Sequence, residues 1–126
     1  VQGIEYNAAA VRDAVRNCQL NGLTRNIAFN KGDAGEFLQK KAKLGTHYDA
    51  VIMDPARAGA DRKFLNALVK VAPKRIVYIS CNPASQARDL KTLVKRYKVE
   101  SIQPFDMFPH TRHTETIVTL SCKEPD

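Results

Sequence analysis

RIVYISCNPASQARDL, residues 75–90, decides how the rest of the chain is read. Arg75–Ser80 is continuous, apolar and β-branched, as an interior strand of a parallel sheet should be. Polar residues take over at Cys81-Asn82-Pro83, and Pro83 suits the first turn of a helix, where its missing N–H is not needed. The spacing then predicts a helix whose inner face is Ala87, Leu90, Leu93, Val94 and Tyr97.

The same alternation continues outward in both directions. Upstream, Tyr48–Asp54 (YDAVIMD) reads as a buried strand leading into the loop Pro55-Ala56-Arg57-Ala58-Gly59. Asp61 then caps a helix carrying Phe64, Leu65, Leu68 and Val69, which Pro73 ends. Earlier still, Val1–Glu5 is a strand, and Asn7 caps a helix with Val11, Ala14, Val15 and Cys18 on one face before Asn21-Gly22 stops it. Asn26–Asn30 is the next strand, and Asp33 caps the helix of Phe37 and Leu38. Downstream come two strands, about Lys98–Pro104 and Glu115–Ser121, around the loop Phe105–Thr114. Strands alternating with helices predict an α/β domain with a largely parallel sheet.

Composition narrows the class. The chain has 126 residues, one domain's worth, with 44% hydrophobic and 26% charged residues, near the averages of soluble globular proteins. No apolar run approaches the ~20 residues of a membrane-spanning helix and no signal-peptide pattern opens the chain, so the expected compartment is cytoplasmic. Twenty Lys+Arg against thirteen Asp+Glu leave a formal charge of +7, which favours a polyanionic partner such as nucleic acid. Three widely spaced cysteines with no CxxC pair argue against a disulfide framework or a cysteine zinc site.

In open α/β sheets ligands sit at the carboxyl ends of the strands. Those ends carry Glu5, Asp33, Asp54 and Cys81. Each has two readings. Glu5 suits a ribose hydroxyl, or simply the dipole of the following helix. Asp33 is explained as well by N-capping. Asp54 is a rigidly held carboxylate stiffened by Pro55, or an ordinary strand exit, and Arg57 suits a phosphate or a charge pair. Cys81, flanked by polar Ser80 and Asn82 and placed just before a helix N-terminus, sits where partial positive charge suits a thiolate, whereas Cys18 and Cys122 fit simple packing. Glu115 is a general base or a solvated strand end. His110 and His113 lack the spacing of a metal site, and no metal is expected.

Taken together, VQGIEYN (Val1–Asn7), VIMDPARAG (Val51–Gly59), RIVYISCNPASQARDL (Arg75–Leu90) and PFDMFPHTRHTET (Pro104–Thr116) resemble the catalytic domain of the RNA 5-methyluridine methyltransferases. These are S-adenosylmethionine-dependent uracil-C5 enzymes of rRNA and tRNA. The resemblance runs in order over nearly the whole chain. It implies a Rossmann-like class I methyltransferase sheet, mostly parallel with a late antiparallel strand. It further implies that Cys81 is the nucleophile, Glu115 the base, Glu5 the ribose ligand, Asp33 a neighbour of the adenine and Asp54 part of the cofactor and target-base pocket.

The family's first strand and glycine-rich cofactor loop would precede Val1, as would its RNA-binding module and a central domain that in some members holds an iron–sulfur cluster. On this reading residues 1–126 are a partial methyltransferase domain, the C-terminal part of a longer protein. The sheet should then show a gap between the strands of Glu5 and Asp54. The isolated chain is expected to bind cofactor weakly and not to turn over, and its exposed strand edges invite self-association. Two other readings share features: an RNA cytosine-C5 methyltransferase, which usually carries a Pro-Cys or Thr-Cys nucleophile, and a non-catalytic RNA-binding domain that keeps the fold. Amino-group methyltransferases would carry an NPPY-like strand end in place of Asp54-Pro55-Ala56-Arg57.

Overall fold

The computed structural model of the protein describes residues 1–123. In chain order the elements are β1 (Gln2–Glu5), α1 (Ala8–Leu20), β2 (Ala28–Lys31), α2 (Ala34–Lys43), β3 (Ala50–Met53), α3 (Arg62–Val71), β4 (Arg75–Ser80), α4 (Pro83–Leu93), β5 (Tyr97–Phe105) and β6 (Glu115–Cys122). Each helix starts at a residue that can satisfy the free N–H groups of its first turn. Asn7 Oδ1 accepts from Ala9 N at 2.8 Å, Asp33 Oδ1 from Glu36 N at 2.8 Å, Asp61 Oδ1 from Phe64 N at 2.6 Å and Asn82 Oδ1 from Ala84 N at 3.1 Å. At the other ends, α1 runs out at Asn21 and Gly22, where φ is +66°, and α3 ends at Ala72, held left-handed ahead of Pro73.

The strands form two sheets. β1 pairs parallel with β2, while β3, β4, β6 and β5 form a second sheet in that order. β3 runs parallel to β4, and β6 runs antiparallel to both β4 and β5. The expected gap is present: β1 and β3 each carry one free edge, and the sheet is interrupted between them. A side-chain bond crosses the interruption, the Tyr48 hydroxyl donating to Gln2 Oε1 at 2.6 Å.

The core belongs to the larger sheet. α3 buries Leu65, Ala67, Leu68 and Val71 against Ile76, Tyr78, Val118 and Leu120, and Leu93 and Tyr97 close the far end. The Tyr97 hydroxyl donates to the Pro73 carbonyl at 3.0 Å, tying the start of β5 to the end of α3. From residues 1–31 the buried hydrophobic is Cys18 alone, so the first lobe hangs on the core and is not part of it.

Three expectations shift. The second strand begins two residues later than Asn26, because the Leu23 carbonyl takes the N–H groups of Asn26 and Ile27 in a turn. β3 is shorter than Tyr48–Asp54 and is not buried throughout: Ile52 is 73% exposed, on the face opposite buried Met53. The inner face of α4 is rotated from the apolar stripe. Leu93 is buried as expected, but the other buried residues are Ser85, Gln86 and Asp89, while Ala87 and Val94 face out. This face lies over strand ends and loop backbone, which present polar groups that only polar side chains can satisfy.

Leu68 tests the core directly, being completely buried on α3. Leu68→Ala should lose about 2–5 kcal/mol of stability by urea unfolding, through lost transfer energy and the cavity left behind. A loss well under 1 kcal/mol would show that this core is not close-packed.

Candidate active site

The register of β4 and β6 brings the two reactive candidates together. Their ladder pairs Ile76 with Leu120, Tyr78 with Val118 and Ser80 with Thr116. Cys81 immediately follows β4, and Glu115 is the residue before Thr116 on β6. Antiparallel counting therefore sets Cys81 and Glu115 opposite each other at one end of the ladder. Both are half-buried. On its other side Glu115 faces Phe105 of β5.

The turn that presents Cys81 is stapled from both sides. Ser80, itself buried, accepts from Asn82 N at 3.0 Å and donates to the Asn82 carbonyl at 3.1 Å, so its hydroxyl bridges the cysteine. Ser85 Oγ lies 3.0 Å from the same Asn82 carbonyl and 3.0 Å from the carbonyl of Arg57. Behind the turn, the buried Gln86 amide donates to the Tyr78 carbonyl at 3.0 Å and the Thr116 carbonyl at 3.2 Å, linking α4 to both strands. Cys81 thus lies immediately before the N-terminus of α4, where the positive end of the helix dipole favours a negative charge.

The loop after β3 forms a neighbouring wall. Its Arg57 carbonyl also accepts from Asn82 Nδ2 at 3.2 Å. The Arg57 guanidinium reaches the loop before β6, with one terminal nitrogen 3.1 Å from His113 Nδ1. A guanidinium can only donate, so Nδ1 of His113 accepts, and that ring carries no proton there. The loop 106–114 is pinned internally by Thr111, whose hydroxyl donates to the Phe108 carbonyl at 2.7 Å and accepts from His113 N at 3.2 Å. His110 takes φ of +64°, a strained setting for a residue with a Cβ.

The acids divide between local and shared roles. Glu5, at the end of β1, accepts from Asn7 N at 2.7 Å, and Asp33 is engaged as the cap of α2. Asp33 and Asp54 line one cleft of about 920 Å³, together with Asp61, Phe37 and Phe64 and the facing edges Val1–Ile4 and Ala50–Met53. Glu5, Cys81 and Glu115 lie outside this lining. The carboxylates of the cleft suit hydroxyl, amino or cationic groups of a ligand, and its aromatic walls suit a planar ring. Among the described residues, no three His, Cys, Asp or Glu converge as a metal site, and all three cysteines are free.

The sequence singled out five candidates: Cys81 and Glu115 meet across the ladder, Asp33 and Asp54 share the cleft, and Glu5 stands at its β1 side. Missed altogether were Gln86 and Ser85, whose spacing with Asp89 and Leu93 was a faint sign of a polar inner face. The meeting of Arg57 with His113 had no sequence signal, because nothing local connects two loops so far apart.

Comparison with known proteins shows the family and the fold. A family model described as tRNA (Uracil-5-)-methyltransferase matches residues 3–123. An uncharacterized RNA methyltransferase of Bacillus anthracis is 45% identical over 98% of this chain, and one of Listeria monocytogenes is 43% identical over 98%. The chain spans about 27% of the length of these curated relatives. The solved structure of Pyrococcus abyssi tRNA (uracil-54, C5)-methyltransferase in complex with S-adenosyl-L-homocysteine superposes with a TM-score of 0.80 at 35% identity, covering 95% of this chain and 28% of that one. An rRNA methylase from Streptococcus thermophilus shares the fold alone, with a TM-score of 0.70 at 10% identity over 98% of this chain and 74% of that one. The fold is therefore the Rossmann-like methyltransferase fold, and the chain belongs to the tRNA (uracil-5-)-methyltransferase family.

Proposed function

We propose that this chain is the catalytic portion of an enzyme that methylates C5 of a uridine in RNA, using S-adenosylmethionine. The single observation that carries the reading is the juxtaposition of Cys81 and Glu115 at the end of the β4–β6 ladder. Uracil C5 is a weak nucleophile, and its hydrogen is not acidic enough to be removed directly. A thiolate and a carboxylate on either side of one ring edge overcome both difficulties.

Cys81 Sγ attacks C6, forming a C–S bond while the C5=C6 electron pair moves toward C5 and the C4 carbonyl. S-adenosylmethionine, when bound, supplies the electrophilic methyl group that the enriched C5 accepts. Glu115 then takes the C5 proton; the released pair re-forms C5=C6 and expels the Cys81 thiolate. The cleft fits such a cofactor: Asp33 and Asp54 can accept hydrogen bonds from its hydroxyl and amino groups, and their charge suits a sulfonium. The target ring is stacked within RNA, so the nucleotide must be flipped out to reach Cys81. A net charge of +7 supports an RNA backbone as the partner.

The gap between β1 and β3 supports a second part of the reading. The free edges Gln2–Glu5 and Ala50–Met53 face one cleft, and the exposed Ile52 lies beside it uncovered. A strand from elsewhere in a longer polypeptide pairs with both edges and completes the cofactor cleft; without it these edges are free to pair with another copy.

Two measurements test these statements. Mixed with S-adenosylmethionine and RNA bearing 5-fluorouridine, the protein completed upstream of Val1 should stall as a covalent adduct, visible in intact-protein mass spectra, because fluorine cannot leave as a proton. Cys81→Ala should abolish the adduct, while Glu115→Gln should accumulate one even with ordinary uridine. RNA binding without any adduct would move the assignment to a cytosine-C5 enzyme or a non-catalytic binding domain. By calorimetry, residues 1–126 alone should bind S-adenosylhomocysteine at least tenfold more weakly than the completed protein. Equal affinity would show that the cleft needs no further strand.

A further inference from the structure

Asp89 is a carboxylate that the reaction above does not use, yet it is 1% exposed on the inner face of α4. Its Oδ2 accepts from Ala60 N at 2.7 Å and from the Tyr78 hydroxyl at 2.7 Å. Its Oδ1 accepts from Arg88 Nε at 3.0 Å and from a terminal Arg88 nitrogen at 2.8 Å. Arg88 also donates to the Ala58 carbonyl at 2.7 Å. With Asn82 and Ser85 on the Arg57 carbonyl, four hydrogen bonds to side chains of α4 and its cap Asn82 hold the backbone of residues 57–60. Gly59, at the centre, has φ of +84°, and a Cβ there would fall 2.6 Å from Asp89 Oδ2 and 2.7 Å from Arg88. The loop is seated on the carboxylate itself.

Packing alone gives no reason for a charge here. A buried carboxylate is costly, and an apolar residue of similar volume fills space as well or better. An apolar residue cannot, however, take the Ala60 N–H or orient the peptide on either side of Gly59. The side chain that this loop projects toward the candidate active site is Arg57, which meets His113 two residues before Glu115. Tyr78, the other donor to Asp89 Oδ2, lies on β4, which ends just before Cys81. Burial, and after it the Asp89 carboxylate, push the Tyr78 hydroxyl above its usual range, so it remains a donor.

We infer that Asp89 is a positioning residue: by clamping residues 57–60 onto α4 it holds Arg57 against His113 and so sets the wall beside Cys81 and Glu115. The inference rests on the proposed methyl transfer for its consequence in rate, but not for its geometry. It excludes a role confined to holding the fold together, because such a role would act equally whether or not Arg57 is present.

The test uses Asp89→Asn in the protein completed upstream of Val1, with two readouts. The first is the ring resonances of His113 by NMR, which need no activity. They should move in Asp89→Asn toward their positions in Arg57→Ala. The second is the rate of adduct formation with 5-fluorouridine RNA. Asp89→Asn should slow it at least tenfold, yet by less than twofold in an Arg57→Ala background, since coupled residues are not additive. Tyr78→Phe, which removes one donor and keeps the core filled, should move both readouts in the same direction by a smaller amount, about threefold in rate, and serves if Asp89→Asn does not fold. Unchanged His113 resonances in a folded variant, or rate losses that multiply in the double variant, would overturn the inference. If the unmutated protein forms no adduct, the proposed reaction fails, and the His113 resonances still decide the role of Asp89.

Discussion

The antiparallel pairing of β6 with β4 is the constraint on which the candidate site depends, and its register is secured by the core. Along β4, Ile76, Tyr78 and Ser80 are buried, and their partners Leu120, Val118 and Thr116 are buried with them. A slip by one residue would turn each side chain of β6 to the opposite face and bring half-buried Ile117 and Thr119 into the core. The apolar pattern that stabilises the domain therefore also dictates that Cys81 and Glu115 face each other. The strand register of the candidate site is inherited from packing, and the hydrogen bonds of Ser80 and Gln86 fix the turn that follows it.

A different arrangement governs the cleft at the interrupted sheet. Its acids stand on the core side, Asp33 as the cap of α2, which packs against α3, and Asp54 after β3, while the facing edge Val1–Ile4 comes from the first lobe. The larger sheet has a continuous core, whereas residues 1–31 bury little beyond Cys18. The cleft is thus built on one well-packed wall and one loosely attached wall. Backbone groups on the two facing edges have no strand partner on that side, and an edge of this kind invites pairing with a further strand.

Between these two regions, α4 does most of the linking. Its N-terminus follows Cys81, its Gln86 ties β4 to β6, and its Ser85 and Asp89 hold the loop that starts at Asp54. A helix that buries polar side chains is unusual in a small domain, and here each has a partner: no buried side-chain polar atom among the described residues lacks a hydrogen bond. Such networks specify one arrangement, because any alternative leaves a buried group unpaired.

Much of this was legible in the sequence. The caps Asn7, Asp33 and Asp61, the stops at Gly22 and Pro73, and the strand Arg75–Ser80 follow rules that involve a few neighbouring residues, and they appear where the residues predicted. The motif residues also disclosed the family, and the resemblance located the gap beside β3. The inner face of α4 was legible at Leu90 and Leu93 but not at Ser85, Gln86 and Asp89, since the groups that these polar side chains meet are supplied by distant segments. The same holds for Arg57 and His113, which meet between two loops that share no local signal. Local chemistry determined the elements, and the family resemblance of the motifs singled out the candidate site residues. Only the tertiary structure decided which of them stand together, because strand register and loop seating are settled by burial and hydrogen-bond satisfaction summed over the whole core.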